Sequence, residues 1–167
     1  MNKFVVATLL VLVFLTEPAQ AHRFSTSFLQ LDSGQDHPQE FDWSWRIVEH
    51  DLAVVAPFLV NNQKQLLPLA ELAAQQQSFA DFVATRVSFN AECSLEVLPV
   101  VQLTREVYAG QEFVVIHGHG GCPLALLKEV QVNKVFAEIK NHKVIIEIGD
   151  KEKHGVLSQA QTTWQVE

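Results

Sequence analysis

The chain has 167 residues, 19 Asp+Glu against 12 Lys+Arg for a formal net charge of -7, 48% hydrophobic residues and two cysteines. This is the length and apolar content of one globular domain rather than of a disordered chain. The acidic balance excludes a surface built to grip nucleic acid, and two cysteines are too few for a small disulfide scaffold.

The first segment reads as an address rather than as part of the fold. Met1–Ala21 has Lys3 in a short basic start, an apolar run from Phe4 to Leu15, and a small-x-small close at Ala19-Gln20-Ala21. That pattern predicts a signal peptide over residues 1–21, and its apolar run is short for a bilayer span. The expectation is a single β-rich domain over residues 22–167, periplasmic or secreted, with no membrane span after cleavage. In an oxidising compartment Cys93 and Cys122 are expected to form a structural disulfide. Metal ligation or redox pairing are the alternatives, and no C-x-x-C spacing favours them.

From His22 a period-two pattern predicts a strand ending near Leu31, with Phe24, Thr26 and Phe28 on one face and Arg23, Ser25 and Ser27 on the other. A turn over Asp32–Pro38 leads into a second strand. There Phe41, Trp43, Trp45 and Ile47 alternate with polar residues, and the two strands read as a hairpin or as sheet neighbours. Such an aromatic stripe can line a sugar or peptide groove, but an inner sandwich face requires the same pattern. From Glu49 to Asn62 the signal fits a buried strand or a short helix interrupted at Pro57.

From Leu66 the period shifts. Leu69, Leu72, Ala73, Phe79, Phe82 and Val83 recur at three- and four-residue steps, which predicts one helix near 68–84 with Pro68 in its first turn. Strand patterns return at Val87–Phe89, Leu95–Leu103, Phe113–Ile116, Leu127–Phe136, Val144–Ile148 and Trp164–Val166. Turns are expected at Lys140–His142 and at Gly149–Asp150. The expected fold class is mostly β (α+β), an antiparallel β-sandwich-like domain with one inserted helix.

The most specific local feature is His117-Gly118-His119-Gly120-Gly121-Cys122. Two imidazoles at i and i+2 on a strand point the same way and can hold Cu, Ni or Zn through ring nitrogen, while a solvated Gly-rich loop fits the same residues. Cleavage after Ala21 makes His22 the new terminus, whose amine and imidazole form a compact chelate. With His117 or His119 brought near, the three nitrogens would make a copper histidine brace; an exposed terminus is the alternative. No nucleophile elbow, H-E-x-x-H, P-loop or dinucleotide fingerprint occurs, so no catalytic residues are assigned and a non-enzymatic protein is expected. His50, His142 and His154 sit beside charged residues and are expected at the surface.

Four stretches together, Ala21–Leu29 (AHRFSTSFL), Trp45–Leu52 (WRIVEHDL), Val135-Phe136 with Asn141–Ile145 (NHKVI), and Gln159–Trp164 (QAQTTW), resemble the extracytoplasmic N-terminal domain of HupE/UreJ-like bacterial membrane proteins. That family's transmembrane portion is expected to be absent here, and Asn141 stands where an acidic residue often precedes the histidine. The resemblance implies a stand-alone exported module that is accessory to a HupE/UreJ-like metal permease as its membrane partner, to which any transport chemistry would belong. With the His-rich stretch at His117–His119, the expectation is a module that binds that partner or a transition metal (Cu, Ni or Zn). The other readings are a structural or adaptor β-sandwich with no metal role, and a histidine-brace copper oxidase resting on His22.

Overall fold

The computed structural model describes residues 25–34, 37–108, 110–149 and 153–166, so the expected signal peptide and His22 lie outside the described residues. Among the latter, ten strands run in chain order: β1 Thr26–Ser33, β2 Phe41–Val48, β3 Val87–Phe89, β4 Leu95–Val97, β5 Thr104–Tyr108, β6 Gln111–Gly120, β7 Glu129–Val132, β8 Lys143–Ile148, β9 Lys153–Leu157 and β10 Thr163–Gln165. Four short helices interrupt them: α1 Glu49–Val55, α2 Leu69–Ala73, α3 Gln76–Ala84 and α4 Val135–Glu138. The fold is mostly β with subordinate helices, as the alternation predicts.

A seven-stranded sheet has the order β4-β6-β2-β1-β8-β9, with β5 also paired to β6, and a three-stranded sheet has the order β10-β7-β3. The β1–β2 hairpin is antiparallel, with Leu29 opposite Trp45 and Leu31 opposite Trp43. Every other pairing is antiparallel except β1 with β8, which is parallel and departs from the all-antiparallel expectation.

The core lies between the large sheet, the small sheet and the helices. Phe41, Trp43, Trp45 and Ile47 are at most 2% exposed, so the aromatic stripe of β2 is core packing and not a groove lining. Trp45 stacks on Phe82 of α3 at 6.1 Å, and Phe41 meets Phe89 of the small sheet edge-on at 5.1 Å. Each such side chain contributes roughly 1.5–3 kcal/mol by leaving water. Arg86 joins three helices: it pairs with Glu138 of α4, donates to the Val55 carbonyl at the end of α1, and lies 4.3 Å over the Phe82 ring of α3.

Several expected elements are corrected. In β1 the core face is Ser27, Leu29 and Leu31, the opposite phase to that expected, because the Ser27 hydroxyl is the acceptor for the Trp45 indole while Phe28 packs on the other face with Tyr108 and Phe113. The helix expected near 68–84 is two helices. Pro68 caps α2 and Gln75, at φ -96° and ψ 6°, precedes α3, where the Gln76 side chain turns out to accept from the Val100 amide at 2.8 Å. Glu49–Asn62 resolves into α1 and a single 3-10 turn opened by Pro57, and the run from Leu95 ends at Val97, with a 3-10 turn at Val100–Gln102. The Leu127–Phe136 strand stops at Val132 and passes into α4. β5 and β9 are strands that the sequence pattern does not predict. The Lys140–Asn141 turn is present, with Asn141 at φ 61°.

Candidate functional site

β6 is longer than the sequence suggests and runs through Gly120, so His117–Gly120 is strand rather than loop. Its alternation places Gly118 and Gly120 on the core face and the two imidazoles on the open face. The glycines are there for close approach. A β-carbon on Gly118 would stand 2.2 Å from the Trp43 ring and 2.1 Å from the Glu96 carbonyl oxygen, and one on Gly120 would stand 2.0 Å from the Phe41 ring. The aromatic stripe of β2 therefore dictates glycine beneath it, and the intervening positions face solvent as histidines.

On that open face His119 pairs in register with Asp42 of β2 and Glu96 of β4, and His117 with Ser44. The His119 Nδ1 lies 2.8 Å from the Asp42 carboxylate. With Nδ1–H donated there, the Nε2 lone pair of neutral His119 is left available, the arrangement that orients metal-binding histidines. The His117 Nε2 lies 2.9 Å from the Thr104 hydroxyl. Burial pushes the His117 pKa down, with Glu106 opposing and Arg46 reinforcing the shift. The structure thus brings His117 and His119 onto one face of one strand. Among the described residues no three His, Cys, Asp or Glu side chains converge to hold a metal ion. Beside the pair, Phe28, Gln30, Arg46, Glu106, Tyr108 and Glu147 line an open cleft of about 260 Å³, in which Arg46 is neutralised by Glu106 at 2.7 Å.

Cys93 and Cys122 form the expected disulfide, with sequence separation 29 and Cα atoms 4.9 Å apart. It fastens the loop before β4 to the residue just beyond β6, so it holds in place the end of the strand that carries the histidine pair.

A second polar cluster lies away from the histidine pair. His142 is 2% exposed, a correction to its expected surface position, and it sits with Ser25, Ser27, Asp51 and Trp45 where the start of β1, α1 and the start of β8 meet. The hydrogen bonds fix its tautomer. Ser25 Oγ donates to Asp51 Oδ2, so it must accept from His142 Nδ1–H; Ser27 Oγ accepts from Trp45 Nε1–H at 3.1 Å and donates to His142 Nε2 at 2.9 Å. His50 Nε2 lies 3.2 Å from the second Asp51 oxygen and is half-exposed, so Asp51 stands between the cluster and the surface. Burial pushes the His142 pKa down, against the opposing pull of Asp51.

Serine, histidine and aspartate meet here without forming a hydrolytic triad. The hydroxyl on Nε2 belongs to Ser27, which is completely buried under Trp45, so no substrate carbonyl can reach it. No single motif spacing links Ser25, Asp51 and His142, so periodicity alone does not mark this cluster. Three of the four stretches that carry the HupE/UreJ-like resemblance supply its members. No family model matches the chain, and no curated protein matches its sequence.

Proposed function

We propose that the chain is a non-enzymatic, extracytoplasmic binding module that serves a HupE/UreJ-like metal permease in the membrane and presents a transition-metal ligand pair to it. The observation that carries this reading is the display of His117 and His119 on the open face of β6, with Asp42 holding Nδ1 of His119. The burial that keeps His117 neutral favours ligation at neutral pH, because imidazole binds a metal through an unprotonated nitrogen.

Other features support the setting. The disulfide fits an oxidising compartment, and no helix among the described residues is long and apolar enough to cross a membrane. The meeting of motif residues Ser25, Ser27, Trp45, Asp51 and His142 at one point supports the resemblance, since residues from three separate stretches serve one structural purpose. The sealed Ser27 supports a non-enzymatic role.

The test is calorimetric titration of the folded protein with Cu(II), Ni(II) and Zn(II), beside the His117→Ala/His119→Ala double variant. Saturable one-to-one binding that the double variant loses is expected, and binding that survives the double variant removes these histidines from the reading. A parallel titration of protein with its first 21 residues retained reads the share of His22, the residue on which a histidine-brace copper oxidase depends. The second reading is an adaptor without a metal role. It predicts no heat with any of the ions and co-purification with a membrane protein.

A further inference from the structure

The geometry points to the Ser25–Asp51–His142–Ser27 cluster as an acid-opened latch: when His142 takes up a proton, the bonds that hold the start of β1 to α1 and β8 lose their order, and the N-terminal end of β1 is released.

The proton count is what makes it a latch. In the closed state each hydrogen has one acceptor: Trp45 Nε1–H to Ser27 Oγ, Ser27 O–H to His142 Nε2, His142 Nδ1–H to Ser25 Oγ, and Ser25 O–H to Asp51 Oδ2. A second ring proton on Nε2 must point at Ser27 Oγ, which already receives the Trp45 indole. The Ser27 hydroxyl hydrogen then loses its acceptor, and at 0% exposure no solvent replaces it. The cheapest relief is for β1 to draw back at Ser25 and Ser27, where the strand begins, since Trp45 and Asp51 are fixed in the core and on a helix.

What would break is local. Ser25 also accepts the Lys143 amide through its carbonyl at 3.0 Å, so the same residues align β1 with its parallel neighbour β8. The charged groups around His142 are few. α1 presents Asp51, 3.7 Å from Nδ1 and in turn paired with His50. α4 presents the Phe136 ring at 6.2 Å, while its Glu138 is held by Arg86. β8 begins with Lys143, which is exposed. Asp51 alone favours the added proton, and burial outweighs it, so His142 is neutral at pH 7 and takes up its proton at a pH below that of a free imidazole.

Hydrogen exchange, corrected for intrinsic rates, combined with nuclear magnetic resonance of the histidine rings tests the latch on the full chain. Between pH 7.5 and 5 the amides of residues 26–29 are expected to lose about tenfold or more of their protection, while Val130 and Val132 in the small sheet lose none; tenfold corresponds to one pKa unit of coupling. The loss should follow the His142 ring titration, and His142→Gln, which cannot charge, should abolish its pH dependence. If that variant fails to fold, the wild-type ring titration and the regional comparison still decide. Uniform loss across both sheets, or protection at residues 26–29 that is constant while the His142 ring protonates, overturns the proposal.

Discussion

Ser27 and Gly118 occupy core-facing positions that a hydropathy pattern assigns to large apolar residues, and in both cases a tryptophan of β2 is the reason. Ser27 is a polar residue inside because the Trp45 indole N–H needs an acceptor once buried, and an unsatisfied donor costs about 1–3 kcal/mol. Gly118 is small because the Trp43 ring fills the volume a side chain would take. Replacing Gly118 with Ala forces the ring or the Glu96 carbonyl to move, and overpacking of this kind costs about 1–3 kcal/mol. Urea unfolding of Gly118→Ala should therefore show a lowered midpoint at unchanged slope, with Gly120→Ala, which meets the Phe41 ring, behaving alike. A midpoint equal to that of the wild type for both variants would mean that β6 does not carry its glycines for clearance.

At the level of elements, the disulfide is the covalent member of the large sheet's edge, binding the loop before β4 to the end of β6. A loop of this length is stabilised by roughly 3–4 kcal/mol through the restriction of the unfolded chain. Reduction should lower the thermal midpoint by several degrees, at about 2–4 °C per kcal/mol for a chain of this size, which scanning calorimetry with and without reductant reads directly. Unchanged melting would show that the bond adds nothing to this edge. The elements differ in how far the sequence announces them. β2 is legible because its aromatics alternate without a break, and β6 is legible only as far as Ile116, because glycine and histidine hide a period-two pattern that continues to Gly120. β5 is exposed along its whole length and so has no apolar alternation to read. The join between α2 and α3 escapes because Leu72 and Phe79 lie seven residues apart, two turns of an unbroken helix, and the interruption is set by contact with Val100. The polar cluster escapes for a related reason: Ser25 lies 26 residues from Asp51 and 117 from His142, and they meet through the pairing of β1 with β2, which α1 follows, and with β8.

For the molecule as a whole, two histidines whose folded pKa is pushed below 6.5, His117 and His142, set how stability responds to acid. In the unfolded chain both take up protons as pH falls through about 6.5, the ordinary histidine value, whereas the folded protein resists until lower pH. Over that interval the unfolded state binds more protons than the folded one, so stability rises with pH and is lost as pH falls. The full contribution is present above 6.5, and once pH drops below the folded pKa values both states are protonated and the dependence levels off. The two sites act through different surroundings, His142 from the buried junction of β1, α1 and β8, His117 from the open sheet face between Thr104 and Arg46. Their contributions should add, because separate sites without shared partners behave independently. The urea midpoint of the wild type is therefore expected to fall between pH 7 and pH 5, with His142→Gln and His117→Gln each flattening part of the slope and the double variant most of it. A double variant that retains the wild-type slope over this range would place the acid sensitivity on carboxylates instead.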